Sequence, residues 1–156
     1  IPPVRDVRRG PYSAATPTEV PGAKLRFTSS LHDALILAPT PILIDVASGD
    51  GHVTLRGAYW LPGVGRGDHF LDPQQAQMAE FLKKLTNGDK ARPLVFFCVN
   101  ASCWLSYNAS LRAAALGYQR VFWYRGGIEA WIEAGLPVDK VSLSPTTSAN
   151  AASENQ

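Results

Sequence analysis

The chain has 156 residues, a formal net charge of +2, 46% hydrophobic residues and 18% charged ones. That supports one domain with a real core and some irregular flank. It excludes a basic nucleic-acid footprint and a polybasic membrane patch, since no run of Lys or Arg is long, and no apolar stretch reaches the ~20 residues of a transmembrane helix.

Residues 1–22 are rich in Pro, Arg, Thr and Ala without a clear period, which predicts an extended or partly ordered lead-in. Residues 23–27 suit a short edge strand. Ser29 or Ser30 can cap a short helix with Leu31, Ala34, Leu35 and Leu37 on its apolar side, stopped by Pro39 and Pro41. Residues 42–46, ILIDV, read as a buried strand with Asp45 near its end. Residues 47–72 are the least regular part, with a short strand expected over 58–61 between glycine-marked turns. Asp72 and Pro73 read as N-cap and first helical residue, and Met78, Phe81, Leu82 and Leu85 continue an amphipathic helix that Asn87 and Gly88 end.

Residues 93–117 carry the chemistry. Residues 94–97, LVFF, have the form of a buried central strand, and a helical pattern runs on to Gly117. Between them lie both cysteines, Cys98 and Cys103, followed by Trp104. A thiol at the carboxyl end of a central strand, just before a helix, occupies the usual ligand position of an α/β sheet. Backbone N–H groups and the helix dipole there favour an anion, and so a thiolate. Two cysteines this close are no secreted disulfide framework and read as a local redox or reactive pair. His32, His52 and His69 are too scattered for metal-ligand spacing, so no metal is expected.

Residues 121–124 predict another strand, and Arg125-Gly126-Gly127 turns into a last helix whose Ile128, Trp131 and Ile132 share a face. Trp60, Trp123 and Trp131 are expected in the core. Residues 141–156 are mostly Ser, Thr, Asn and Ala and predict a disordered tail. Strands alternating with helices over 23–140 imply a single α/β domain, a mainly parallel central sheet flanked by helices.

The segments LIDV, RGAYWLP, PLVFFC and LRAAALGYQRVFWYRGGIEAWIEAGLPV, in that order, resemble the rhodanese-like domain over residues 25–138. Within that superfamily LPGVGRG, LTNGDKARPLVFFC and CWLSYNAS look most like the CXXCW-motif proteins associated with catabolism that depends on pyrroloquinoline quinone (PQQ). The resemblance implies that Cys98 is the nucleophile, accepting a sulfane sulfur as a persulfide inside a cradle of loop amides. The loop would comprise Val99, Asn100, Ala101, Ser102, Trp104, Leu105 and Ser106, with Asp45 at the family's strand aspartate. Three departures stand out: Cys103 replaces the loop Arg of sulfurtransferases, no glycine is present and Asn100 is the best left-handed candidate, and the loop is about two residues longer by alignment.

Cys103 then reads as a resolving or disulfide partner, or as a free thiol lining the loop. A bridge across so short a loop contributes only about 2 kcal/mol and suits a switch better than a staple. Trp104 is a candidate pocket wall, Arg66 a candidate cation for an anionic substrate and His69 a candidate proton shuttle; Asp45 reads better as a structural acceptor.

Three functions follow from the resemblance: sulfur transfer through Cys98, thiol–disulfide exchange by Cys98 and Cys103, or cofactor or partner binding in PQQ-linked alcohol oxidation. No cofactor is required for the first. The partners expected are a small sulfur-containing or anionic substrate and a periplasmic partner of PQQ-dependent dehydrogenases, with no nucleic acid and no membrane insertion. A chain starting at Ile1 without Met fits export to a periplasm after signal-peptide removal.

Overall fold

Short, apolar, β-branched and aromatic runs form the strands, and the computed structural model describes them within residues 1–141. The tail expected beyond falls on residues 142–156, outside the described residues. Val141, which the sequence reading placed in the tail, is buried, and its N–H donates to the His52 carbonyl over 2.8 Å.

In chain order the elements are β1 (Lys24–Arg26), α1 (Thr28–Ala34), β2 (Ile42–Asp45), β3 (Val53–Leu55), β4 (Tyr59–Trp60), α2 (Pro73–Thr86), β5 (Leu94–Phe97), α3 (Trp104–Ala115), β6 (Val121–Tyr124), α4 (Gly127–Glu133) and β7 (Val138–Lys140). Five strands form one parallel sheet in the order β1-β6-β5-β2-β4. Ile42 registers with Leu94, and Leu94 with Val121. Every residue of β2 and β5 is buried, as helices on both faces of a parallel sheet require. This is the expected α/β architecture, a single domain whose central sheet is flanked by four helices. No helix among the described residues is long and apolar enough to cross a membrane.

α2 begins as its sequence predicts: Asp72 accepts from the Gln75 N–H, Pro73 follows, and Asn87 closes the helix at φ 57°. α1 differs. Its N-cap is Phe27, still extended from β1 (φ −103°, ψ 165°), so neither Ser29 nor Ser30 is the cap. Ser30 lies inside the first turn, where its hydroxyl accepts from the Phe27 N–H at 3.1 Å and donates to the Phe27 carbonyl. β3 and β7, an antiparallel pair, were not foreseen; three residues each are too few to show a period.

The lead-in packs along α3. Tyr107 Oη accepts from the Val4 N–H (2.8 Å) and donates to the Val4 carbonyl (2.7 Å). Asn108 makes the same two-way contact with Arg8, and Val7 and Val20 are buried. A second core cluster forms beneath it from Val20, Trp104, Tyr107, Leu111 and Trp123.

Candidate active site

Cys98 directly follows β5, the middle strand of the sheet, and is 2% exposed. Cys103 is the N-cap of α3, half-buried, five residues further on. The two form a disulfide, with their Cα atoms 6.2 Å apart, a separation ordinary for a bridge.

The turn between them is held from three directions. α4 holds its start: the Ile128 and Glu129 N–H groups donate to the carbonyls of Cys98 (3.0 Å) and Val99 (2.9 Å). Asn100 holds its middle: its side chain accepts from the Ser102 N–H (2.9 Å) and donates to Glu129 (2.8 Å). Asn100 does not take the left-handed backbone expected of it, because its side chain closes the turn instead. The lead-in holds its end: Ala14 N–H donates to the Ser102 carbonyl (3.0 Å), Trp104 N–H to the Tyr12 carbonyl (2.8 Å), and Ser13 bridges Cys103. Three amides of the expected cradle, those of Ser102, Cys103 and Trp104, therefore serve the protein's own oxygens. Those of Val99, Asn100 and Ala101 donate to no acceptor among the described residues.

A cleft of about 290 Å³ opens over the disulfide, lined by Tyr12, Ser13, Ser48, Arg66, Cys98, Val99, Asn100, Ser102, Cys103 and Leu105. Larger hollows of about 520 and 380 Å³ lie along β1 and β6, and neither cysteine lines them. Arg66 is the cation of the cleft, its guanidinium 5.1 Å from the Tyr12 ring. The buried Arg112 steadies it by donating to the Arg66 carbonyl (2.7 Å).

Other expected site residues lie elsewhere. Trp104 does not wall the cleft: it is 2% exposed in the second core cluster, and its indole N–H donates to the Ala15 carbonyl. Ser106 is buried and accepts from the Trp123 indole. Ala101 does not line the cleft either; its carbonyl accepts from Thr16. His69 is exposed beside Asp68, away from the cleft. Asp45 is buried at the end of β2, accepting from the Ala47 N–H (2.8 Å) and lying 2.7 Å from His52 Nε2. Burial raises its pKa, against the opposing pull of Thr54, Ala47 and His52. It shapes the turn that sets Ser48 on the rim and does not itself reach the cleft.

Sequence reasoning missed Tyr12, Ser13, Ser48 and Arg112. The first two sit in an aperiodic lead-in and the third in a loop, where no pattern marks them. Arg112 lies within the α3 helical pattern, where nothing marks it either; its guanidinium meets Asp72, the N-cap of α2, and Gln75 in its first turn. Among the described residues no group of three or more His, Cys, Asp or Glu side chains is placed to hold a metal.

A family model described as the rhodanese-like domain matches residues 29–134. Among solved structures, thiosulfate sulfurtransferase from Pseudomonas aeruginosa is similar at 26% identity and a TM-score of 0.60, covering 87% of this chain. The chain spans only 23% of that protein's length. The polysulfide-sulfur transferase homodimer from Wolinella succinogenes is similar at 17% identity and TM-score 0.52, covering 76% of this chain and 79% of its own. A protein of unknown function from Rhodopseudomonas palustris, a possible tyrosine phosphatase, shares the fold at 21% identity and TM-score 0.52, covering 75% of this chain and 85% of its own. No curated protein matches. With more than half of its length matched and Cys98 at the end of the central strand, the chain belongs to the rhodanese-like domain family.

Proposed function

We propose that this protein carries sulfane sulfur on Cys98, in a site that Cys103 closes when oxidised. The observation that supports it most is the position of Cys98, at the floor of the cleft where the central strand ends. Once the bridge is reduced, the Cys98 thiolate attacks a sulfane sulfur, the donor's bond to that sulfur breaks, and a persulfide remains. An acceptor nucleophile then removes the outer sulfur and returns the thiolate. The free amides of Val99, Asn100 and Ala101, the N-terminus of α3 and Arg66 favour that anion. The family's sulfur-transfer members support the reading, and a small sulfur-containing or anionic substrate fits the cleft's cation Arg66.

A second reading, thiol–disulfide exchange by Cys98 and Cys103, is favoured by the bridge itself and by Cys103 standing where a sulfurtransferase carries Arg. The pair Cys103-Trp104 also favours the CXXCW branch, and with it a periplasmic accessory to PQQ-dependent alcohol oxidation. PQQ is a planar quinone with three carboxylates, and Arg66, the one cation lining the cleft among the described residues, does not match that charge, so these residues do not fit it. The accessory role then rests on a protein partner.

The test is thiocyanate formation from thiosulfate and cyanide by the pre-reduced protein, with the intact mass read alongside. Sulfur transfer predicts turnover, a gain of one sulfur on incubation with thiosulfate, and loss of both in Cys98→Ser. No turnover with a reversible loss of two hydrogens would leave the exchange reading in its place.

A further inference from the structure

The two sulfurs of the bridge are not equivalent. Cys98 belongs to the main core cluster and is 2% exposed, whereas Cys103 is half-buried on the rim. A thiolate attacks a disulfide sulfur in line with the bond, from the side away from the leaving sulfur. Cys98 is closed to solvent within the core cluster, and Cys103 is the more exposed of the two residues. Leaving-group strength points the same way, because the sulfur whose thiolate is better stabilised departs faster. Both sulfurs share the cleft with Arg66, but Cys98 is the one directly followed by the free amides of Val99, Asn100 and Ala101.

We propose that incoming thiols enter this protein through Cys103, and that the reductant it accepts is a dithiol. The proposal rests on the exchange reading above. In the first step a thiolate forms a bond to Cys103 Sγ as the bond to Cys98 Sγ breaks. The electron pair leaves on Cys98 as a thiolate, and no proton moves. The freed Cys98 remains close to the new mixed disulfide, with the two Cα atoms 6.2 Å apart in the closed form. It attacks Cys103 in turn and expels a monothiol, restoring the bridge. A dithiol avoids this: its second thiolate attacks its own sulfur in the mixed disulfide, leaves as a cyclic disulfide, and releases Cys103 as a thiolate. Two electrons pass to the protein, which ends with both thiols free.

The test uses the oxidised wild type with excess 2-mercaptoethanol, stopped by acid, capped with a maleimide and mapped by mass spectrometry after digestion. The expected product carries mercaptoethanol on Cys103 and maleimide on Cys98, in about tenfold excess over the reverse. The reverse product, or equal amounts, would overturn the assignment of the entry sulfur. Dithiothreitol should open the bridge fully at about a tenfold lower thiol concentration than mercaptoethanol. Equal potency would overturn the dithiol preference. Two maleimide-reactive thiols that persist after prolonged oxidation would instead remove the exchange reading itself, a result distinct from a misassigned sulfur.

Discussion

Arg112 and Asp72 are paired inside the protein, with Nη2 and Oδ2 2.8 Å apart and side chains 0% and 4% exposed. The contact is two-pronged, since Nη1 also reaches Oδ1 at 2.8 Å. Arg112 further donates to the carbonyls of Arg66 and His69 and to Gln75 Oε1. One guanidinium thus ties α3, the start of α2 and the loop bearing Arg66.

Breaking this pair leaves a charge stranded. Arg112→Met should destabilise the fold by about 3 kcal/mol in urea unfolding, and the double variant with Asp72→Asn should lose less than the two singles together. Additive losses would mean that the two side chains are independent.

The same pair predicts an acid limb. Burial opposes the charge on Asp72, but Arg112 and the amides of Asp68, Gln75 and His69 outweigh it, so its carboxyl lies well below the usual carboxylate range. A depressed pKa contributes stability that is complete above the unfolded value of about 3.9 and is lost as pH falls below it. Asp72→Asn should therefore show a flatter decline of melting temperature between about pH 4 and 2 than the wild type. An unchanged slope would place the acid sensitivity elsewhere.

Gly127 stands at φ +67°, and a Cβ there would collide with the Cys98 carbonyl. Gly127→Ala must move either α4 or the cysteine turn that α4 holds. The expected cost is about 1–3 kcal/mol, with faster reduction of the bridge. Wild-type stability and reduction rate in this variant would show that α4 does not fix the turn.

These relationships differ in how far the sequence exposes them. β2, β5 and β6 were legible because buried parallel strands are continuous apolar runs, and α2 because both its ends carry strong signals. Cys98 was legible because a strand and a helix frame it. The shape of its surroundings was not: Asn100 could close the turn by backbone or by side chain, and only packing against Glu129 decides. Trp104 reads equally as wall or core until the lead-in is seen to cover α3. Residues 1–22 have no period because hydrogen bonds to α3 and the cysteine turn, rather than an apolar face, hold them.

Asp45 predicts a pH dependence above the acid limb. His52 Nδ1 faces the Gly49 carbonyl at 2.6 Å and Nε2 faces Asp45 Oδ2 at 2.7 Å. Burial raises the Asp45 pKa, and the opposing pull of Thr54, Ala47 and His52 does not cancel it. A carboxyl with a raised native pKa binds its proton more tightly folded than unfolded, so its contribution is largest at low pH and is lost as pH rises through the native value. Asp45→Asn should flatten stability against pH above about pH 4. A wild-type slope in that variant would show that Asp45 titrates normally.

Thr16 gives the sharpest test of whether the lead-in belongs to the site. It is 3% exposed, its hydroxyl donates to the Ala101 carbonyl, and it accepts from Arg125 Nε at 3.0 Å. Arg125 also holds the carbonyls of Thr16 and Pro17, so the strap is clamped on β6's side and the cysteine turn on the strap's. Thr16→Val keeps the shape and removes the hydroxyl, leaving the Ala101 carbonyl without its partner at a cost of about 1–3 kcal/mol. Because Ala101 lies between the cysteines, the lost contact falls on the turn that must open when the bridge breaks. The variant should be reduced by dithiothreitol faster than the wild type at equal thiol concentration, beyond any change in global unfolding rate measured in parallel. If reduction follows global unfolding alone, the strap supports the fold and has no separate hold on the sulfurs.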